Sequence, residues 1–360
     1  MVMLEELKLE NFMGINYGQI DFRKGVNCIY GSNGTGKTVL LSAIGIVQIL
    51  MRGSEFIVGR DIITRGAENS KISATFSVDT GLNRYNVRYS FTLVTSECGE
   101  CNVCNEAIMA GSAHERMQGI LTSESNKTTP IGPTRKIRNF IGQRNQLMIE
   151  QLFDIKSTCE WRSRSFLFND SVLNIFNEKH TDSESMLIIN ELHKFGLNSI
   201  ANELDICEIA SCDSDTFLYI NDWLNLLAPE TNIKIEDHGD DGPYISIGKM
   251  CYPMRNASPG IVQTIYLVKL LMKLVQSDYM LLIDGVGCID EITFGNILTR
   301  FEPLCKGQLM ITTNNLRPLE IIKPKYIIIA TGDPNDAYKH PGCEVAKTNN
   351  LRKMIIGGKY

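Results

Sequence analysis

At 360 residues with 43% hydrophobic content, the sequence is long enough to bury one large core or two ordinary ones. A formal net charge of -5 excludes broad electrostatic adhesion to nucleic acid and confines any DNA contact to a local basic patch. Eleven cysteines behind a charged, alternating start, "MVMLEELKLENF", do not read as a secreted disulfide scaffold. The longest apolar stretch, "VLLSAIGIVQILM" at 39–51, is too short to span a bilayer. The expectation is a soluble, reducing, cytoplasmic protein with no membrane partner.

Alternation in "LEELKLENF", "GQIDF" and "GVNCIY" predicts three short strands, and helical periodicity begins at Lys37. Two more alternating runs, "KISATFSV" and "YNVRYSFTLV", predict a hairpin. Residues 95–134 are polar and read as a cysteine-containing loop excursion. From 135 to 228 the pattern is helical, in "SMLIINELHKFGLNSIANEL" and "DTFLYINDWLNLL" above all, and reads as an insertion or arm. "NIKIED" and "PYISIG", separated by "HGDDG", predict a hairpin with a tight Asp-Gly turn.

Between 258 and 330 the order is helix, strand "YMLLID", helix, strand "QLMITT", short helix, strand "YIIIA". Continuously apolar strands separated by helices predict a mostly parallel sheet covered on both faces. The core is then split between residues 1–94 and 229–360, both ends of the chain building one α/β sheet.

"GSNGTGKT", Gly31 to Thr38, fits G-x-x-x-x-G-K-[ST], with an apolar strand before it and a helix after it. Gly31, Gly34 and Gly36 let the backbone of Ser32, Asn33 and Thr35 turn so that successive N–H groups face phosphates. Lys37 is expected to neutralise the β- and γ-phosphates and Thr38 to ligate magnesium. Such a loop needs an acid at the end of a neighbouring strand, and Asp284 has that character. ATP and Mg2+ are the cofactors expected.

"NASPGIVQTIYLVKLLMKL" sets Ser258 and Gly260 directly before a helix. "CGECNVC" spaces Cys98, Cys101 and Cys104 as candidate zinc ligands, one short of a closed site, with Cys159, Cys207, Cys212 or His114 as candidates for the fourth. Arg135, Lys136, Arg138, Arg144, Arg162 and Arg164, interleaved with aromatics, read either as a solvated helix face or as a DNA contact.

Taken together, "LKLENFMGINYG" leading into "YGSNGTGKT", the degenerate S-x-G before a helix, the strand ending at Asp284, "KGQLMITTNNLRPLE" and the closing "NNLRKMIIGGKY" resemble ABC-type ATPases of the RecF, SMC and OLD kind. The resemblance covers roughly residues 1–90 and 245–360. It implies a P-loop NTPase head with an N-terminal antiparallel β part and a helical insertion, one that closes head to head as a homodimer around ATP. In such a dimer Ser258 and Gly260 touch the γ-phosphate held by the partner's loop. The resemblance also puts Asn11 and Phe12 near the adenine, with Phe12 equally readable as a core aromatic, and makes Gln143 or Gln146 the lid glutamine. Family members act in DNA repair and in bacterial defence against phage through an effector partner.

Two departures stand out. The glutamate that follows the metal aspartate in the family is Gly285 here, and the histidine at the end of the next strand is Asn314. Neither accepts a proton, and Asp290 or Glu291 is the nearest substitute. A positioned base contributes roughly 10²- to 10⁴-fold, so the expectation is slow hydrolysis and a switch more than a motor. A non-hydrolysing scaffold and a DNA-binding protein are the alternatives.

Overall fold

The computed structural model describes residues 1–54, 59–95, 101–112, 117–123, 168, 184–198, 200–202, 212–239, 242–278, 280–323, 326–341 and 351–356. The chain divides into two compact units. The first comprises Met1–Phe22, Val39–Ser199 and Gly332–Tyr338; the second comprises Arg23–Thr38, Ile200–Thr331 and Lys339–Tyr360.

The first unit is built on a six-stranded antiparallel sheet of β1 (Val2–Phe12), β2 (Ile15–Asp21), β4 (Asn69–Asp79), β5 (Arg84–Thr95), β6 (Cys101–Ser112) and β7 (Gln118–Ser123), in the order β2-β1-β4-β5-β6-β7. Leu4 and Leu7 are three residues apart, yet both are buried. A register shift between Leu4 and Glu6 inserts the extra residue that turns both inward. Helix α2 (Glu184–Asn198) packs on β1 and β4 through Ile188, Leu192 and Phe195, and Phe195 meets Phe76 edge to face at 5.7 Å.

Residues 95–134, read as a loop excursion, contain β6 and β7. Their alternation is hidden by irregularities in pairing between Ser90 and Thr92 and between Ile108 and Met109. Cys101 and Cys104 point into the core of this sheet.

In the second unit β3 (Gly25–Tyr30), β8 (Ile200–Asn202), β12 (Met280–Ile283), β13 (Gln308–Thr313), β14 (Ile327–Ala330) and β15 (Tyr338–Lys339) form a sheet in the order β15-β14-β3-β13-β12-β8. Pairing is parallel from β14 through β3, β13 and β12 to β8. Every residue of β12, β13 and β14 is buried, as expected of strands covered on both faces. The helical periodicity read across 185–204 ends at Asn198. Ile200–Asn202 instead pairs with Leu281–Ile283 as an edge strand, where ladder hydrogen bonds override local propensity.

A three-stranded meander of β9 (Ile233–Asp237), β10 (Pro243–Ile247) and β11 (Met250–Pro253) carries the predicted hairpin plus a strand that alternation did not reveal. Two residues of its predicted Asp-Gly turn, 240 and 241, lie outside the described residues. Helix α3 (Ser214–Leu227) starts at Asp213, whose side chain accepts from Thr216 N at 2.8 Å, and buries Phe217, Ile220 and Leu224. These side chains share a core with Ile233, Ile235 and Ile245. The α3 residue Asn221 bonds both backbone groups of Ile235 on the edge strand β9, donating to its carbonyl and accepting from its N–H, each at 2.8 Å. Helix α4 (Pro259–Gln276) and helix α5 (Glu291–Phe301) pack on the same core through Ile265, Val268, Phe294 and Leu298.

Among the described residues, no helix is long and apolar enough to cross a membrane.

Candidate functional site

The loop after β3 has the backbone that its glycines permit. Gly34 and Gly36 take φ of 82° and 94°, which side-chain-bearing residues rarely adopt. Gly31 is needed for space, since a Cβ there would stand 2.4 Å from Thr35 Oγ1 and 2.9 Å from the Ala330 carbonyl. Gly31 N donates to Thr313 O at 3.3 Å, tying the loop to the end of β13, and Thr35 Oγ1 donates to Ser32 O at 2.9 Å. Ser32, Asn33 and Gly34 are exposed. Helix α1 (Lys37–Met51) begins directly behind them, so its N-terminal N–H groups and dipole open toward the loop.

Lys37 Nζ donates to the carbonyls of Gly31 and Ser32, both at 2.8 Å. Partial burial holds its ammonium below the usual lysine range, against the opposing effect of the Asp284 carboxylate. Thr38 Oγ1 donates to Asp284 Oδ2 at 2.8 Å across 246 residues of sequence. Two oxygen ligands at neighbouring corners of a magnesium octahedron lie about 2.9 Å apart, as follows from bonds of 2.0–2.1 Å. This oxygen pair therefore fits that metal. The other carboxylate oxygen, Asp284 Oδ1, accepts a short hydrogen bond from Thr312 Oγ1, which in turn accepts from Gly285 N at 3.0 Å. Thr312 is fully buried, and nothing in the sequence marked it apart from its place in the strand next to β12.

Gly285 has the backbone that favours glycine. Its φ is 73°, and a Cβ there would meet nothing within 4 Å. Asn314 is exposed at the end of β13, next to the Thr313 carbonyl that holds Gly31. Asp290 is engaged elsewhere, as the N-cap of α5, where Oδ1 accepts from Ile292 N at 3.1 Å and Thr293 N at 2.9 Å. Burial raises its pKa, but the bonds from Thr293 and Ile292 outweigh that and hold the carboxyl below its ordinary value. Glu291 faces Arg352 Nη2 at 3.9 Å and adds to the raised pKa of Tyr30, whose larger cause is burial.

Ser258 is the N-cap residue of α4, with no side-chain cap bond and with Pro259 at the first helical position. A Cβ on Gly260 would lie 2.6 Å from the Cys288 carbonyl, so the loop after Asp284 passes directly against the helix start. Gln263 Oε1 accepts from Cys288 N at 3.0 Å and closes that contact. Ser258, Gly260, Cys288 and Asp290 border a cavity of about 270 Å³ in the second unit.

Phe12 is fully buried in the first unit, and Asn11 there takes a φ of 54°. Cys101 Sγ donates to Gly59 O and Cys104 Sγ to Thr92 O, each at 3.4 Å. Burial, helped by Asp61, pushes the Cys101 thiol up, away from the thiolate that a metal needs. Cys98, His114, Cys159, Cys207, the basic residues from Arg135 to Arg164, Gln143 and Gln146 lie outside the described residues.

The model of the AAA domain family matches residues 6–211. The Septu protein PtuA of Bacillus thuringiensis is 39% identical over 62 residues, covering 17% of this chain and 15% of that protein. The DNA replication and repair protein RecF of Prosthecochloris aestuarii is 33% identical over 91 residues, covering 25% and 24%. The DNA double-strand break repair Rad50 ATPase of Archaeoglobus fulgidus is 25% identical over 114 residues, covering 32% and 12%. The matched stretches therefore span at most about a quarter of these relatives. The SMC head domain from Thermotoga maritima superposes with a TM-score of 0.48 at 15% identity, covering 94% of this chain and 99% of that one. The chain belongs to the AAA domain family.

Proposed function

We propose that this ATPase is a nucleotide-gated switch: two copies close head to head around ATP and Mg2+, and the closed pair controls an effector partner while hydrolysis stays slow. The Thr38–Asp284 hydrogen bond carries the reading, because it joins the hydroxyl behind the phosphate loop to the carboxylate at the end of β12. Magnesium held by these two groups would supply charge neutralisation on the phosphates.

The amides of residues 31–38 and the start of α1 bind the phosphates. Lys37 exchanges its two carbonyl partners for phosphate oxygens and so senses whether the loop is filled. Ser258 and Gly260, at the N-terminus of α4, are the groups assigned to the partner copy's γ-phosphate. Asn314 can orient a water or a phosphate oxygen through its amide but cannot take a proton. Gly285 offers no side chain, and Asp290 is occupied as a cap. Missing base catalysis costs roughly 10²- to 10⁴-fold in rate, while the phosphate and metal contacts are kept.

A cytoplasmic role in DNA repair or anti-phage defence is the setting we infer. Repair is what the names of the matched RecF and Rad50 describe, and PtuA is the matched Septu protein. Titration calorimetry with ATP and magnesium tests the reading: binding with one nucleotide per chain, lost in Lys37→Ala, accompanied by phosphate release far below that of glutamate-bearing ATPases. Heat of binding that persists undiminished in Lys37→Ala would reject the assigned site.

A further inference from the structure

The outward face of the meander gathers three metal-binding side chains of different chemistry. Glu236 lies on β9, His238 two residues further on the same side, and Cys251 on β11. Ser246 of β10 pairs with both Lys234 and Cys251, so the small side chain between the outer strands leaves room for Glu236 to reach across toward the thiol. The donor atoms of Glu236, His238 and Cys251 all lie within 4.8 Å of one another, and all three residues are exposed.

Neighbours hold two of these groups in place. Ser246 Oγ donates a short hydrogen bond to Glu236 Oε1, which leaves Oε2 turned toward His238 Nε2 at 3.5 Å. The His238 ring stacks on Tyr244 with centroids 4.2 Å apart and planes inclined by 19°. That contact fixes the direction of its nitrogens. Donor atoms around a tetrahedral zinc ion stand about 3.3–3.8 Å apart, as follows from Zn–N and Zn–O bonds near 2.0–2.2 Å and Zn–S near 2.3 Å. The Glu–His separation already matches, and the Cys251 thiol stands within 4.8 Å of both.

We propose that Glu236, His238 and Cys251 form a binding site for a thiophilic divalent cation, zinc by preference, with the fourth position open to water. Thiolate and imidazole select such an ion over magnesium, so this site and the nucleotide site take different metals. Three protein ligands and one open position leave the ion able to accept a further ligand from outside the chain.

Cobalt(II) titrated into the metal-stripped, nucleotide-free full chain is the test, because a thiolate ligand produces a charge-transfer absorption that oxygen ligands do not. One equivalent should produce that band with tetrahedral d–d absorption, and zinc should bleach it. Cys251→Ser should abolish the charge-transfer band, His238→Ala should weaken cobalt binding at least tenfold, and Cys98→Ser should leave both unchanged. Cys251 and His238 are exposed, and far-ultraviolet circular dichroism checks the fold of each variant. Absence of the band in the unsubstituted chain, or its survival in Cys251→Ser, overturns the proposal.

Discussion

Thr312 donates its hydroxyl to Asp284 Oδ1 and so leaves Oδ2 free to meet Thr38. Thr312 Oγ1 in turn accepts from Gly285 N at 3.0 Å, which fixes the backbone immediately after the carboxylate. One buried hydroxyl thereby orients the acid and the turn behind it. Thr312→Val keeps the shape and removes both bonds. It should lower stability by about 1–3 kcal/mol in urea denaturation and weaken ATP binding more in the presence of magnesium than without it, while Thr312→Ser retains both.

Gly285 holds a φ of 73°, in the region where an L-residue costs about 1–2 kcal/mol. A glutamate placed there therefore carries its side chain on a backbone that disfavours it. Gly285→Ala should lower the unfolding free energy by about 1–2 kcal/mol, and Gly285→Glu should leave phosphate release slow. A rise of a hundredfold or more in a phosphate-release assay of Gly285→Glu would show that the side chain alone was missing.

Gly260 has no room for a side chain against the Cys288 carbonyl, 2.6 Å from where a Cβ would sit. Gly260→Ala must displace the loop after Asp284 or the start of α4. The expected outcome is near-normal calorimetric ATP binding by the single chain together with loss of the ATP-dependent dimer in gel filtration.

Asp290 caps α5, and its carboxyl is held below the ordinary value of 3.8. A depressed folded pKa stabilises above the unfolded value, and that stability is lost as pH falls through the folded pKa. Asp290→Ala should cost about 1 kcal/mol at neutral pH, the usual worth of such a cap. The gap between the two unfolding curves should close only in strong acid, below the ordinary aspartate range.

The phosphate loop was legible because its chemistry demands glycines and a lysine at fixed spacing, and Asp284 because it ends an apolar run. Thr312 was not legible: a threonine inside "QLMITT" reads as ordinary strand composition, and its role exists only through pairing of β12 with β13. Asn221 is hidden for the same reason, since its two bonds to Ile235 require α3 to lie along an edge strand. Local pattern failed where pairing decides, at Ile200–Asn202 and β11, and where irregular pairing breaks alternation, in β6. The zinc pattern at 98–104 drew attention to thiols of which Cys101 and Cys104 face a core, while Cys251, isolated in sequence, meets Glu236 and His238 only through the meander.

Nucleotide is expected to join two copies of the chain. Light scattering of the purified chain with ATP and magnesium, against the same chain without nucleotide and against Lys37→Ala, measures this directly. The prediction is a mass that doubles only for the unsubstituted protein with nucleotide. A mass unchanged by ATP at concentrations that saturate binding would contradict it.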